Sequence, residues 1–97
     1  MEGLEAQVAT FIKDSCCVLV EPSRVFVGSI QQVLKALGVP PDKIHVAAKF
    51  EDARQLVTEK KPRILITEFN IQEGSWLSLI EIQEQFYKDT ERIAVVV

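Results

Sequence analysis

The sequence predicts an α/β domain built on a parallel sheet, and three observations lead there. Short apolar runs, of the kind that form strands covered on both faces, recur at 16–20, 43–48, 63–67 and 92–97. Helical apolar spacing fills the stretches between them, and strands alternating with helices make βαβ units. The third run, Ile64-Leu65-Ile66-Thr67, opens after Pro62 and ends at a carboxylate, Glu68, followed by Asn70 and a turn at Gly74. That is the form of a buried strand delivering polar groups to a loop at its carboxyl end, where open α/β sheets bind ligands. Right-handed crossovers restrict the layouts, and the expected order is 2-1-3-4 with helices on both faces. The switch point then falls between the first and third strands, so Glu21 and Glu68 are expected to share one crevice.

The elements follow in chain order. Residues 1–15 form an N-terminal unit in which Leu4, Val8, Phe11 and Ile12 share one helix face. Glu2 and Glu5 come early and Lys13 late, which suits the helix dipole. This amphipathic face either packs on its own domain or docks a partner. The second unit, 16–97, opens with Cys16-Cys17-Val18-Leu19-Val20. A helix follows with Phe26, Ile30, Val33, Leu34 and Leu37 on one face and Gly38 as its C-cap. Val39-Pro40-Pro41-Asp42 is a rigid connector, and Ile44, Val46 and Ala48 mark the second strand. Ala53, Leu56 and Val57 line a short second helix closed by Lys60-Lys61-Pro62. A third contains Leu77, Ile80 and Phe86 before the last run, Ile93-Ala94-Val95-Val96-Val97.

Bulk properties narrow the function classes. The 97 residues suit one domain, and 47% hydrophobic with 26% charged residues is ordinary for a soluble globular chain. Eleven Lys and Arg are dispersed among fourteen acids for a net charge of -3, which offers nucleic acid no basic surface. No apolar run approaches the roughly 20 residues of a membrane span. Glu2 and Glu5 stand where a secretory leader carries positive charge. Adjacent strand residues point to opposite faces, so Cys16 and Cys17 are expected as unpaired thiols in a reduced, cytoplasmic protein. His45 has no Cys or second His near it and is not expected to bind metal. Trp76, at a helix start, is read either as a packing residue or as a partner hot spot.

Three separated segments carry a resemblance. Val18-Leu19-Val20-Glu21-Pro22-Ser23-Arg24, Ala47-Ala48-Lys49-Phe50-Glu51-Asp52-Ala53 and Glu68-Phe69-Asn70-Ile71-Gln72-Glu73-Gly74-Ser75-Trp76-Leu77 fall in the order of a response-regulator receiver domain. The last looks like the family's Asp-x-Asn-Leu-Pro-Asp-Gly-x-Gly-Leu pattern, whose first aspartate accepts a phosphoryl group. The resemblance covers roughly 16–97 and implies a flavodoxin-like sheet, shortened after the fourth strand, lacking the last strand and helices. It places Glu68 at the phosphoacceptor position and Glu21, Glu68 and Asn70 in the acidic pocket. Here the sequence departs from the family. Pro22 stands where a second acid would hold magnesium, and Gln72 replaces the usual proline. The chain also stops at Val97, before the family's switch residue and lysine.

Phosphoryl transfer to a carboxylate depends on positioning and on neutralisation of charge by metal and lysine. Magnesium requires near-octahedral oxygen ligation, and Pro22 supplies no side-chain oxygen. The extra methylene of Glu68 moves its oxygens by about 1 Å, enough to upset near-attack geometry. The expectation is therefore a non-enzymatic pseudo-receiver, with no resident cofactor, that signals by protein–protein contact. Glu68 would be either a permanent mimic of the phosphorylated state or a relic. The alternatives are a divergent magnesium-dependent acceptor and the front part of a longer regulator with an output domain after Val97. The expected partner is a second copy, joined through Ile93, Val95 and Val97 on the last strand or through the Leu4, Val8, Phe11 and Ile12 face.

Overall fold

The structure, a computed structural model, describes residues 15–88 and 91–97. The expected N-terminal helix, with Leu4, Val8, Phe11 and Ile12, lies outside the described residues. Strand β1 (Cys17–Val20) leads into helix α1 (Arg24–Leu37). A 3-10 turn (Pro41–Lys43) then enters β2 (Ile44–Ala47), and helix α2 (Phe50–Lys60), β3 (Ile64–Thr67), α3 (Trp76–Phe86) and β4 (Ile93–Val96) complete the order. All adjacent strands pair in parallel, in the order β2-β1-β3-β4. The expected order 2-1-3-4 is the one observed.

Local chemistry sets the boundaries. Ser23 caps α1, its hydroxyl accepting the Phe26 N–H, and Ser75 caps α3 by accepting from Leu77 N–H at 3.2 Å. Gly38 ends α1 with φ of 104°, a conformation that costs a residue with a Cβ about 1 kcal/mol or more. Its N–H reaches back to the carbonyls of Leu34 and Lys35.

Two cores flank the sheet. On one face Val18, Val20, Ala47 and Leu65 meet Ala53 and Val57 of α2 and Leu79 of α3. On the other, Cys17 and Ile64 meet Leu34 and Ile30 of α1 and Val39 of its connector. Burying one such Leu or Val side chain contributes about 1.5–3 kcal/mol, so each face is a substantial part of a small domain's stability.

The structure decides which side chains of these elements are covered. In α1 only Leu34 is buried and Ile30 partly so, whereas Phe26, Val33 and Leu37 are exposed. The apolar sector of this helix is wider than its line of contact with the sheet. In β2 the buried residue is Ala47 rather than Val46 or Ala48, because α2 covers the Ala47 side of this edge strand. In α3 Leu77 and Phe86 are exposed, and the buried positions are Leu79 and Gln83, one helical turn apart.

Gln83 closes the seam between α3 and the sheet. It is fully buried, and its Nε2 donates to the carbonyls of Pro62 and Arg63 (both 3.2 Å) and Ile93 (3.1 Å). Its Oε1 accepts from the Arg92 guanidinium at 3.0 Å. Residues before β3 and at the start of β4 are thereby tied to one side chain, supported by the Tyr87 hydroxyl donating to the Lys61 carbonyl.

Candidate functional site

A cleft of about 480 Å³ opens at the carboxyl ends of the strands. It is lined by Val20, Pro22, Ala48, Lys49, Glu68, Asn70 and the Ile71-Gln72-Glu73 turn. The backbone sets it up: Glu21 N–H donates to Ala47 C=O and Glu68 N–H to Val20 C=O, both at 3.0 Å, so the ladders run one residue past the strands. Glu68 and Phe69 then leave the sheet, with Phe69 N–H held by the Val97 carbonyl at 2.7 Å. The buried Thr67 hydroxyl donates to the Glu68 carbonyl at 3.1 Å, fixing the exit.

The turn forming the far wall is tightly constrained. Glu73 adopts φ of 63°, the left-handed region that is sparsely populated by residues other than glycine. Gly74 next to it lies so close to Phe50, at the start of α2, that a Cβ there would sit 2.0 Å from the ring's Cγ. Glycine is required here for close approach, and the contact docks the turn onto α2.

The structure brings together only part of the expected acidic pocket. Glu68 and Asn70 line the cleft; Glu21 does not. Glu21 is 8% exposed, and its Oε1 accepts the Ser23 N–H at 3.2 Å, so its carboxylate turns back on its own chain at the entry to α1. Pro22 occupies the lining instead, with no side-chain oxygen to offer. Among the described residues no group of three His, Cys, Asp or Glu side chains is placed to hold a metal ion.

Lys49 and Glu73 also line the cleft and were not singled out from the sequence. The signal for Lys49 was there: it follows the carboxyl end of β2 as Glu68 follows that of β3, and the same end-of-strand rule selects both. One cation therefore lines the same space as the carboxylates of Glu68 and Glu73, an arrangement suited to holding a polar group. It lacks a second fixed acid on the β1 side.

Beside the cleft, Phe69 and Trp76 form a tilted ring pair with centroids 6.0 Å apart. Trp76 is half-buried and Phe69 exposed, so packing within the domain accounts for one face of the tryptophan. Both cysteines are free thiols. No described helix is long and apolar enough to cross a membrane. Compared with protein-family models, curated proteins and solved structures, the chain gives no match.

Proposed function

We propose that the chain is a non-catalytic, receiver-like signalling domain of flavodoxin-like form that acts by protein–protein contact in a reduced, cytoplasmic setting. The observation that carries this reading is the composition of the cleft. A glutamate, Glu68, ends β3 with Asn70 two residues on, while the β1 side offers Pro22 and a Glu21 carboxylate engaged by Ser23 N–H. Stabilising a transferring phosphoryl group requires a metal held by opposed acids or equivalent fixed charge. With one acid replaced and the other turned away, Glu68 serves as a fixed negative charge rather than an acceptor. Incubation with acetyl phosphate and magnesium, followed by intact-mass measurement, is expected to show no added phosphoryl mass. An adduct that disappears in Glu68→Gln would overturn the reading in favour of a divergent acceptor.

The partner in this reading is a second copy, joined through the β4 edge. The Ile93 and Val97 N–H groups donate to the carbonyls of Arg63, just before β3, and Thr67, at its end, so by the two-residue period the outward N–H groups belong to Ala94 and Val96. Nothing among the described residues pairs with that side, and no lysine or proline interrupts Ile93 to Val97. Natural proteins normally blunt or pair such an edge. Sedimentation at micromolar concentration is expected to show a dimer that Ala94→Pro, which removes one outward donor, converts to monomer. A wild-type monomer would refute edge pairing.

A further inference from the structure

The edge strand β4 alternates in exposure and in hydrogen-bonding direction at once. It pairs with β3 in the register Ile64↔Ile93 and Ile66↔Val95, which sets Ile93 and Val95 on the sheet face where Ile64 and Ile66 meet α1. The ladder continues through Val97, whose N–H donates to Thr67 C=O, so Val97 belongs to the same face. These three apolar side chains are 40%, 41% and 61% exposed, whereas Ala94 and Val96 on the other face are half-buried. The backbone groups of Ile93, Val95 and Val97 point inward to β3, and those of Ala94 and Val96 point out from the edge.

Symmetry restricts how two such edges meet. A two-fold axis through the seam runs the paired edges antiparallel. Residues that exchange N–H and C=O bonds then stand opposite each other, so outward residues must oppose outward residues. With Ala94 opposite the partner's Val96, every outward group of both residues is paired. Val95 meets its own copy, and Ile93 meets the partner's Val97. With Ala94 opposite itself, Val96 and Val97 fall against the partner's Arg92 and Glu91, and Arg92 is already engaged by Gln83. With Val96 opposite itself, Ile93 and Ala94 lose their counterparts within 93–97.

We propose that the two copies join with Val95 on the two-fold axis, Ala94 against the partner's Val96 and Ile93 against the partner's Val97. This rests on the edge dimer proposed above and adds its register. The side chains decide in its favour as the backbone does. Val95 with its copy, and Ile93 with the partner's Val97, are non-hydrogen-bonded pairs, the kind that brings opposed side chains closest. The three exposed residues of each copy therefore form one uncharged stripe across the seam. Because the strands run antiparallel, the two clefts open at opposite ends of the joined sheet.

Single cysteines placed on the seam test the register in the full chain. At the axis, Val95→Cys faces its copy with Cα atoms about 4.5 Å apart, within the range that a disulfide spans. Ala94→Cys and Val96→Cys lie diagonally from their copies, at about 7–8 Å, beyond ready bridging. Mild oxidation is expected to give a covalent dimer of Val95→Cys and no more than background for the other two. The unsubstituted chain, with its unpaired Cys16 and Cys17, sets that background. A mixture of Ile93→Cys and Val97→Cys chains is expected to cross-link where neither does alone, which keeps the test open should Val95→Cys fail to fold. An unsubstituted chain that sediments as a monomer would remove the dimer and the register with it. A chain that sediments as a dimer but cross-links at 94 or 96, or at neither Val95→Cys nor the mixed pair, would keep the dimer and overturn the register.

Discussion

Gln83→Leu is expected to destabilise the domain by about 3 kcal/mol although it preserves side-chain volume. The size of the effect comes from what Gln83 holds. Its amide donates to three backbone carbonyls from two strands' ends, and its oxygen receives Arg92. Arg63 C=O keeps the Ile93 N–H as a partner at 2.8 Å, so it loses little. Pro62 C=O, in a buried setting, loses its bond to the amide, and the Arg92 guanidinium loses a charge-assisted one. Each buried group left unsatisfied costs about 1–3 kcal/mol. Denaturant unfolding of wild type and Gln83→Leu would measure it. A difference under about 0.5 kcal/mol would show that water or a shifted backbone satisfies these carbonyls just as well.

The second large effect concerns alkaline pH. Burial in the α1-side core pushes the Cys17 thiol up to about 12 from an ordinary 9.0, with the neighbouring Cys16 adding to the rise. A folded-state value above the unfolded one means that the unfolded chain releases its proton first. The contribution is therefore fully present below pH 9.0 and is lost as pH rises toward 12. The slope approaches about 1.4 kcal/mol per pH unit, on the order of 4 kcal/mol over the full window. Cys16 is raised by burial too, with Lys60 and Lys43 opposing. Comparing Cys17→Val with wild type isolates the buried thiol, because valine fills the site without titrating. Between pH 8 and 10.5 the wild type is expected to lose stability more steeply than the variant. Parallel curves would mean that the thiolate is solvated in the folded state. The same raised value makes Cys17 a poor nucleophile at neutral pH.

The candidate site shows a similar division between what was legible and what was not. Glu68 and Asn70 were readable because a strand end followed by a polar loop has a one-dimensional signature. Lys49 obeys the same rule at β2 and was equally available. Glu21 looked like a partner for Glu68 because both end adjacent strands, yet its carboxylate accepts the N–H two residues on. A short local hydrogen bond of this kind competes with a long-range site, and periodicity carries no information about which one wins.

By itself the sequence determined the succession of strands and helices and the Gly38 cap, and right-handed crossovers together with a switch point made β2-β1-β3-β4 the expected order. These depend on local pattern, on backbone sterics and on a chirality rule, all of which act within a few residues or one βαβ unit. Only the tertiary structure decided which apolar residues are covered. Phe26, Val33 and Leu37 share the apolar sector of α1 with Leu34, and the line of helix–sheet contact selects Leu34. A glutamine in a helix looks like a surface residue. Gln83 is buried because carbonyls 21, 20 and 10 residues away in the chain converge on its amide. Burial of a polar group depends on partners supplied from elsewhere in the fold, and no local spacing encodes that supply.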